Sequence, residues 1–260
     1  MGRAIVVAAL ISLPALPAPP AFPDLPALHA QHAAFRLKGR VLSERGEPVA
    51  NAAVRAEAFY GYAAGTFSGQ RIFTAQSNAK GEWSIGAMQP GIWQFDVVAP
   101  GRLPEAVVLP IRILTTVSMG TSGMSLIWDL VLKPLRAPDD GRGQTLAELT
   151  AFASDGKKEL VRSGLERVPD DADADYFAGA GTVAMLVRDT TLARALYQRA
   201  LERDPSSYRA ALGIASIFLL QRDFDSASRA FDAARNRTHD KNEVKFLSAA
   251  IGDLATIRVR

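Results

Sequence analysis

The sequence predicts a multidomain protein of the α+β class, with a β-sandwich in its first half and an array of helical hairpins in its second. Residues 35–135 contain short runs in which apolar and polar positions alternate, as in half-buried strands. Residues 144–260 lose this alternation and are rich in the helix formers Ala, Leu, Arg and Glu. The second half also repeats at a fixed interval. We therefore expect two domains at 35–135 and 144–260, joined by a polar linker at 136–143.

Turn residues divide the first half into strands. The segment 43–48 contains Gly46 and Pro48, which favour a tight turn, and similar clusters occur at 77–81 and 89–91. Several short strands between such turns are typical of a β-sandwich. We predict strands at 35–42, 53–59, 72–75, 83–87, 92–98 and 126–132.

Short blocks in the first half occur in the order found in a known family. The blocks are Gly39-Arg40-Val41, Gly46-Glu47-Pro48-Val49, Ala53-Val54 and Pro90-Gly91-Ile92-Trp93. They resemble the carboxypeptidase regulatory-like domain, which implies a transthyretin-like, seven-stranded antiparallel sandwich. In the peptidases this domain is an accessory to a separate catalytic domain, so the resemblance implies no activity here. The longer stretch 111–125 departs from the family pattern, and we expect an extended loop there.

An internal repeat is visible in the second half. Four positions recur after one constant interval with similar side chains: Gly181, Ala193, Tyr197 and Ala200 return as Ala215, Ala227, Phe231 and Ala234. This pattern resembles tetratricopeptide (TPR) repeats, whose period is about 34 residues and whose unit is a helical hairpin. The small residues among them would let helices approach closely, with Tyr197 and Phe231 as the large side chains beside them. We predict helices at 174–186, 191–203, 208–220 and 224–236, a weaker hairpin at 146–152 and 158–167, and a capping helix at 242–254.

The N-terminal thirty residues have the pattern of a secretory signal peptide. Arg3 precedes an apolar run at 4–13, and a Pro-rich stretch follows. The run is about half the ~20 residues that a membrane-spanning helix needs. We expect cleavage after Ala30 and a periplasmic or secreted location in the bacterial envelope. An uncleaved anchor and a Pro-rich disordered segment are the alternatives.

The composition argues against most enzymatic chemistry. The chain has no cysteine and three histidines, so thiolate chemistry is excluded and a histidine-based zinc site is disfavoured. Neither a phosphate-binding loop nor a dinucleotide fingerprint occurs. The net charge of +3 is spread along the chain, which disfavours nucleic acid as a partner. We expect a protein without catalytic residues, metal or cofactor; an enzyme with an unrecognised site is a third alternative.

The preferred functional hypothesis is a binding or scaffold protein that holds a protein or peptide partner. The resemblance to TPR proteins implies a groove lined by the first helix of each hairpin. On this register the groove residues are Tyr176, Val183, Arg209 and Phe218. The alternative for these side chains, Phe218 above all, is burial between helices.

The second hypothesis is a module that contacts carbohydrate or peptidoglycan through the sandwich. Tyr60, Tyr62 and Phe67 lie in a Gly- and Ala-rich stretch at 59–69 that is predicted to be a loop. Aromatic rings in an exposed loop can stack against sugars. Local packing of the loop is the alternative role for these rings.

Overall fold

The structure, a computed structural model, describes residues 35–61, 71–111, 118–120, 123–135 and 142–257. These residues belong to one compact unit, Ala33–Arg260. The predicted signal peptide at 1–30 and most of the predicted linker lie outside the described residues. The α+β class is confirmed, because a β-rich half precedes a helical half.

Two sheets form the first half. One has the order β4-β1-β8-β7, with β9 also pairing with β1, and the other has the order β3-β2-β5-β6. The strands are β1 (Phe35–Ser43), β2 (Ala53–Gly61), β3 (Ile72–Gln76), β4 (Glu82–Met88), β5 (Gly91–Val98), β6 (Glu105–Ile111), β7 (Ser118–Gly120), β8 (Gly123–Ile127) and β9 (Leu130–Leu132).

The sheets differ from the sequence prediction in three respects. The sandwich is not wholly antiparallel, because β1 pairs in parallel with β8 and β9. Strand β6 was not predicted, and part of the expected loop at 111–125 forms β7. The predicted closing strand is split into β8 and β9 at Trp128 and Asp129. Gly39 makes this arrangement fit, since a Cβ there would lie 1.7 Å from the carbonyl oxygen of Trp128.

Seven helices follow in the described part of the chain. Their bounds agree closely with the predicted hairpins, and the weaker first hairpin and the capping helix are both present. The helices are α1 (Arg142–Ser154), α2 (Lys158–Leu165), α3 (Ala174–Leu186), α4 (Thr190–Arg203), α5 (Tyr208–Leu220), α6 (Phe224–Arg235) and α7 (Lys241–Ile257).

The repeat positions pack as the sequence predicts. All four equivalent pairs are buried in their helix interfaces. The Tyr197 ring fills the space between two first helices: a Cβ built on Gly181 of α3 would lie 2.8 Å from it, and one on Gly213 of α5 would lie 2.3 Å from it. The glycines therefore let α3 and α5 close around a large side chain.

The helices cover one face of the β3-β2-β5-β6 sheet. Strand β5 is buried on both faces almost throughout, and β6 is buried from Ala106 to Ile111. Strand β6 is an edge strand, yet its outward amide at Val108 donates to the hydroxyl of Ser216 on α5 over 3.0 Å. Pro110 lies two residues on, where the missing amide would have faced the same way and costs no ladder hydrogen bond. The edge is thus protected by a helix.

Among the described residues, no helix is both long enough and apolar enough to cross a membrane.

Candidate functional site

The C-terminal ends of α3 and α5, the first helices of the two repeated hairpins, contact polar side chains of the β3-β2-β5-β6 sheet. Residues opposite one another in an antiparallel pair point to the same side. Glu57 of β2 lies opposite Gln94 of β5, and Arg55 lies opposite Asp96. This polar row faces α3 and the turn after it, where Gln94 and Asp96 are buried. The row therefore joins the two halves of the protein.

Equivalent carbonyl groups of the two repeats accept hydrogen bonds from the sheet. Met185 of α3 and Leu219 of α5 lie one repeat period apart. The Met185 carbonyl accepts from Nε2 of Gln94 at 3.2 Å, and the Leu219 carbonyl accepts from the hydroxyl of Tyr60. The last carbonyls of a helix have no partner within it, so these bonds cap both helices from outside.

The residue that ends each turn is also equivalent. Arg188 and Arg222 have φ of 66° and 60°, a left-handed conformation that favours glycine. The Arg188 guanidinium contacts the carboxylates of Glu57 and Asp96, while that of Arg222 lies 4.3 Å from the Tyr60 ring centroid. Both turns are therefore anchored on the sheet, one by ion pairs and one by a cation–π contact.

The cluster around Arg188 is electrostatically compensated. Burial alone would raise the pKa of Glu57, but the hydrogen bonds and charges of Arg188 and Arg55 outweigh it and lower that pKa. Asp96 pairs with Arg55 and Arg188, each at 3.0 Å. Glu57 therefore stays charged at neutral pH, and the ion pairs of Glu57 and Asp96 with Arg188 hold the turn in place. The cluster is a structural anchor and leaves no unpaired carboxylate for a ligand.

The predicted groove residues are distributed between this interface and the surrounding core. Val183 is fully buried, and Tyr176 is 7% exposed. Phe218 is half-buried beneath the guanidinium of Arg194, 4.9 Å from its ring centroid. Tyr176 and Val183 are therefore packed in the interior, and the ring of Phe218 is covered by Arg194 of α4.

The structure also places one of the predicted sugar-contacting residues, Tyr60, differently from the prediction. Tyr60 lies in β2 and not in a loop, and its hydroxyl and ring are engaged by Leu219 and Arg222. Burial raises the pKa of Tyr60 to about 12. Tyr62 and Phe67 lie outside the described residues.

A cleft of about 420 Å³ remains open at the other end of the first helices. It lies between strand β6, the segment from Trp128 to Lys133, and the N-terminal ends of α3, α5 and α7. Both halves of the protein therefore contribute to it. Its charged and aromatic lining residues are Glu44, Glu105, Trp128, Asp129, Lys133, Asp175, Asp204, Tyr208, Arg209, Arg237, Glu243 and Phe246.

One repeat position contributes three side chains to this cleft. Asp175, Arg209 and Glu243 occupy the first turns of α3, α5 and α7, each one repeat period after the last. Of the four predicted groove residues, Arg209 is the one that lies here. The repeat thus presents a ladder of charged groups along the part of the first-helix surface that the sandwich leaves uncovered.

Arg209 is held by the sandwich. Its guanidinium donates to the carbonyl of Pro104 at 2.8 Å and pairs with Glu105 at 3.0 Å. Burial raises the pKa of Glu105, and the charges of Arg209 and Lys133 offset this only in part. The Arg209 side chain is therefore held in one position on the lining of the cleft.

Glu243 of α7 and Tyr208 of α5 also line the cleft. The Glu243 carboxylate accepts from the hydroxyl of Thr238, and its pKa is raised by burial and by the nearby carboxylates of Asp240 and Glu105. Burial, together with the charge of Glu243, raises the pKa of Tyr208 well above its ordinary value. These two residues bring a carboxyl group and a phenol to the cleft.

The apolar side of the cleft is aromatic. Trp128 and Phe246 stack with ring centroids 4.9 Å apart and planes only 3° from parallel. Trp128 also meets Phe95 edge-on within the sandwich core. Trp128 is half-buried because it bridges the core and the cleft.

Most of the cleft was missed from the sequence. The repeat register could have identified Glu243 as the third member of the series, since the capping helix keeps the repeat interval. Glu105 and Trp128 carry no such signal, because their role depends on how the sandwich meets the helices.

A metal site is not formed by the residues that the structure describes: no group of three or more His, Asp or Glu side chains is placed to hold an ion. Zinc and calcium sites draw their ligands from such groups.

Comparison with known proteins supports the helical half. Residues 184–251 match the family described as Tetratricopeptide repeat. This match covers α4 to most of α7 and agrees with the repeat register read from the sequence. Curated proteins provide no match to the chain.

Solved structures give only weak likenesses. A T3SS complex from Aeromonas hydrophila has a TM-score of 0.40 at 18% identity, covering 47% of this chain and 83% of that chain. The dioxygenase domain of a dioxygenase carbohydrate-binding protein fusion from Streptomyces sp. SirexAA-E gives 0.32 at 18%, covering 39% and 80%. For chlorocatechol 1,2-dioxygenase from Pseudomonas putida the values are 0.31 and 12%, covering 39% and 61%, so this chain spans less than two thirds of that relative. Such scores support no conclusion about activity.

Proposed function

We propose that this chain is a non-catalytic binding or scaffold protein that holds a protein or peptide partner. The observation that carries the proposal is the cleft, which lies along the first-helix surface that the sandwich leaves open. The Tetratricopeptide repeat match supports a role in protein–protein interaction. The repeated position at Asp175, Arg209 and Glu243 supplies charged groups at regular spacing, which suits an extended segment of a partner.

The sandwich has a defined part in this function. It covers the middle and the far end of the first helices and contributes Glu105 and Trp128 to the cleft. It therefore limits the binding surface to the N-terminal ends of the first helices and contributes part of the lining. We propose that the two halves bind as a unit.

We also propose that the protein acts in the bacterial envelope, as a periplasmic or secreted protein. The support is the N-terminal pattern: Arg3, the apolar run at 4–13 and the prolines that follow are typical of a signal peptide. N-terminal sequencing of the protein from its native cells tests this. A first residue at position 31 is expected, and an intact N-terminus would contradict cleavage.

Site-specific photo-cross-linking tests the binding function. A photoreactive amino acid at Ser206, an exposed residue of the cleft rim, should trap a protein partner in extracts of the native cells. The same group at Ala195, exposed on the outer face of α4 and absent from the cleft, is the matched control. Trapping from Ser206 and not from Ala195 is expected. The absence of any trapped protein from both positions would contradict the proposed function.

A further inference from the structure

The cleft has the chemistry of a receptor for a basic side chain. We infer that it binds a lysine or arginine side chain presented by a peptide segment of the partner, with Glu243 as the carboxylate that pairs with it. The inference rests on the proposed function, because it names the chemistry of the partner at the same site. Three features of the cleft support it: the charge of its lining, its unused hydrogen-bonding capacity, and the stacked aromatic rings of Trp128 and Phe246.

The charge of the lining favours a cation. Six of the lining residues are acidic and three are basic, although the chain as a whole has a net charge of +3. The acidic members are Glu44, Glu105, Asp129, Asp175, Asp204 and Glu243, and the basic members are Lys133, Arg209 and Arg237. An excess of one sign of charge in a cleft favours ligands of the opposite sign.

Internal ion pairs engage three of the six acidic groups. Of the other three, Glu44 is exposed, Asp204 accepts hydrogen bonds from Ser206, and Glu243 is partly buried. Glu105 pairs with Arg209, Asp175 pairs with Lys133 at 3.1 Å, and Asp129 pairs with Arg40. Within the described part of the chain, Glu243 accepts a hydrogen bond from the Thr238 hydroxyl and makes no ion pair. A partly buried carboxylate that makes no ion pair is stabilised when a ligand supplies one.

The remaining groups fit the rest of a basic side chain. Tyr208 lines the cleft, and its hydroxyl has no hydrogen-bond partner among the described residues, so it can accept from an ammonium or guanidinium group. The stacked rings of Trp128 and Phe246 lie on the same lining. An aromatic face attracts a cation and packs against the methylene stem of lysine or arginine. A carboxylate, a neutral phenol and an aromatic wall together select a long cationic side chain.

Peptide titration of the full chain tests the inference, with tryptophan fluorescence as the signal. Trp128 is half-buried at the cleft while Trp83 and Trp93 are buried, so a change in emission reports on this site. The probes are two acetylated and amidated heptapeptides, Gly-Ala-Leu-Arg-Leu-Ala-Gly and the same peptide with Gln in place of Arg. The Arg peptide should bind at least tenfold more tightly than the Gln peptide, roughly the value of one charge-assisted hydrogen bond.

The variant pair is Glu243→Gln and Glu202→Gln. Both remove one negative charge, but Glu202 is exposed on α4 and does not line the cleft. E243Q should lose roughly tenfold in affinity for the Arg peptide, with E202Q unchanged and circular dichroism showing both folded. Equal binding of the two peptides by the wild-type chain, or unchanged affinity in E243Q, would overturn the inference. Spermidine binding as tightly as the Arg peptide would overturn the assignment to a peptide.

The cross-linking experiment separates this inference from the proposed function. If Ser206 traps a protein partner equally well in the wild-type chain and in E243Q, the binding function stands and the basic-side-chain inference falls. If trapping is lost in E243Q and kept in E202Q, both are supported. If the wild-type chain traps nothing, the proposed function itself fails.

Discussion

The hairpins α3–α4 and α5–α6 repeat the same internal design and yet meet the sandwich through different chemistry. Their second helices are capped at the N-terminus by Asp189 and Asp223, whose carboxylates accept from the amides of Leu192 and Ser226. Both turns contain an arginine with positive φ. Each first helix receives one hydrogen bond from the sheet, but the first turn forms ion pairs whereas the second contacts an aromatic ring.

This difference shows which features the repeat determines and which it does not. Helix-to-helix packing depends on residues that recur once in every repeat, so it is nearly the same in both units. Contacts with the sandwich depend on what β2 and β5 present at each point, so the equivalent arginines have different partners. We therefore expect substitutions at shared packing positions to have large effects in either unit, and substitutions at the turns to have unequal ones.

The largest effect is expected inside the shared packing. Ala200→Arg forces a charged side chain into an interface where Ala200 is fully buried, and it should cost more than about 4 kcal/mol and unfold the array. Ala195→Arg is the control, because Ala195 lies exposed on the same helix and the change should cost less than about 0.5 kcal/mol. Thermal melts of the full chain followed by circular dichroism measure both. Equal melting temperatures for the two variants would contradict the repeat register.

A smaller loss is expected where Tyr197 fits between the first helices. Gly213→Ala places a methyl group 2.3 Å from the Tyr197 ring, and overpacking of this kind costs roughly 1–3 kcal/mol. Gly252→Ala is the matched control, since a Cβ there meets nothing within 4 Å and helix propensity should stabilise α7 by up to about 1 kcal/mol. Urea unfolding of the two variants gives the comparison. Stabilisation by both would show that α5 can shift to accommodate the methyl group.

Substitution of the two turn arginines, Arg188 and Arg222, tests directly whether the two turns contribute unequally to stability. Arg188→Gly relieves the left-handed backbone but leaves Glu57 and Asp96 without that partner, so a net loss of about 2 kcal/mol is expected. Arg222→Gly relieves the same conformation and loses only the contact with Tyr60, so its effect should be within about 1 kcal/mol of zero. The loss in R188G should also shrink at high salt, because charge interactions are screened. Equal losses in the two variants would mean that the ion pairs contribute nothing.

The sequence predicted the parts of this structure that depend on local pattern. The alternation in β1 and β2 and the paired small residues of the repeats identify the strands and helices because these positions pack within one element or one hairpin. The burial of one face of the β3-β2-β5-β6 sheet by the helices could not be predicted in the same way. Gln94 and Asp96 alternate with Trp93 and Phe95, which normally indicates a solvent-facing side, and they are buried because they bond the Met185 carbonyl and Arg188.

One feature of the sequence did indicate that another element packs on this sheet. The run Ala106–Ile111 is apolar without interruption, as in strands that are buried on both faces. It predicts that something covers the outer side of β6. It does not indicate which helices do so, and the cleft follows only from that placement.

The smallest effect concerns the third member of the repeat series, Glu243 of α7. Its pKa is raised in the folded protein, so the ionised form costs stability at neutral pH, and that cost disappears once the pH falls below the ordinary glutamate value of 4.5. Glu243→Gln removes the ionisation and should therefore raise the melting temperature at pH 7 by about 2 °C, with the gain fading toward pH 4. Glu202→Gln, exposed on α4, should show no such pH-dependent gain. The E243Q variant could be more stable and also bind the Arg peptide more weakly. That result would mean that Glu243 serves ligand binding at a cost in stability. Arg209 differs, because the sandwich already supplies its partner, Glu105. A fall in melting temperature at pH 7 would show instead that the bond to Thr238 outweighs the burial of the charge.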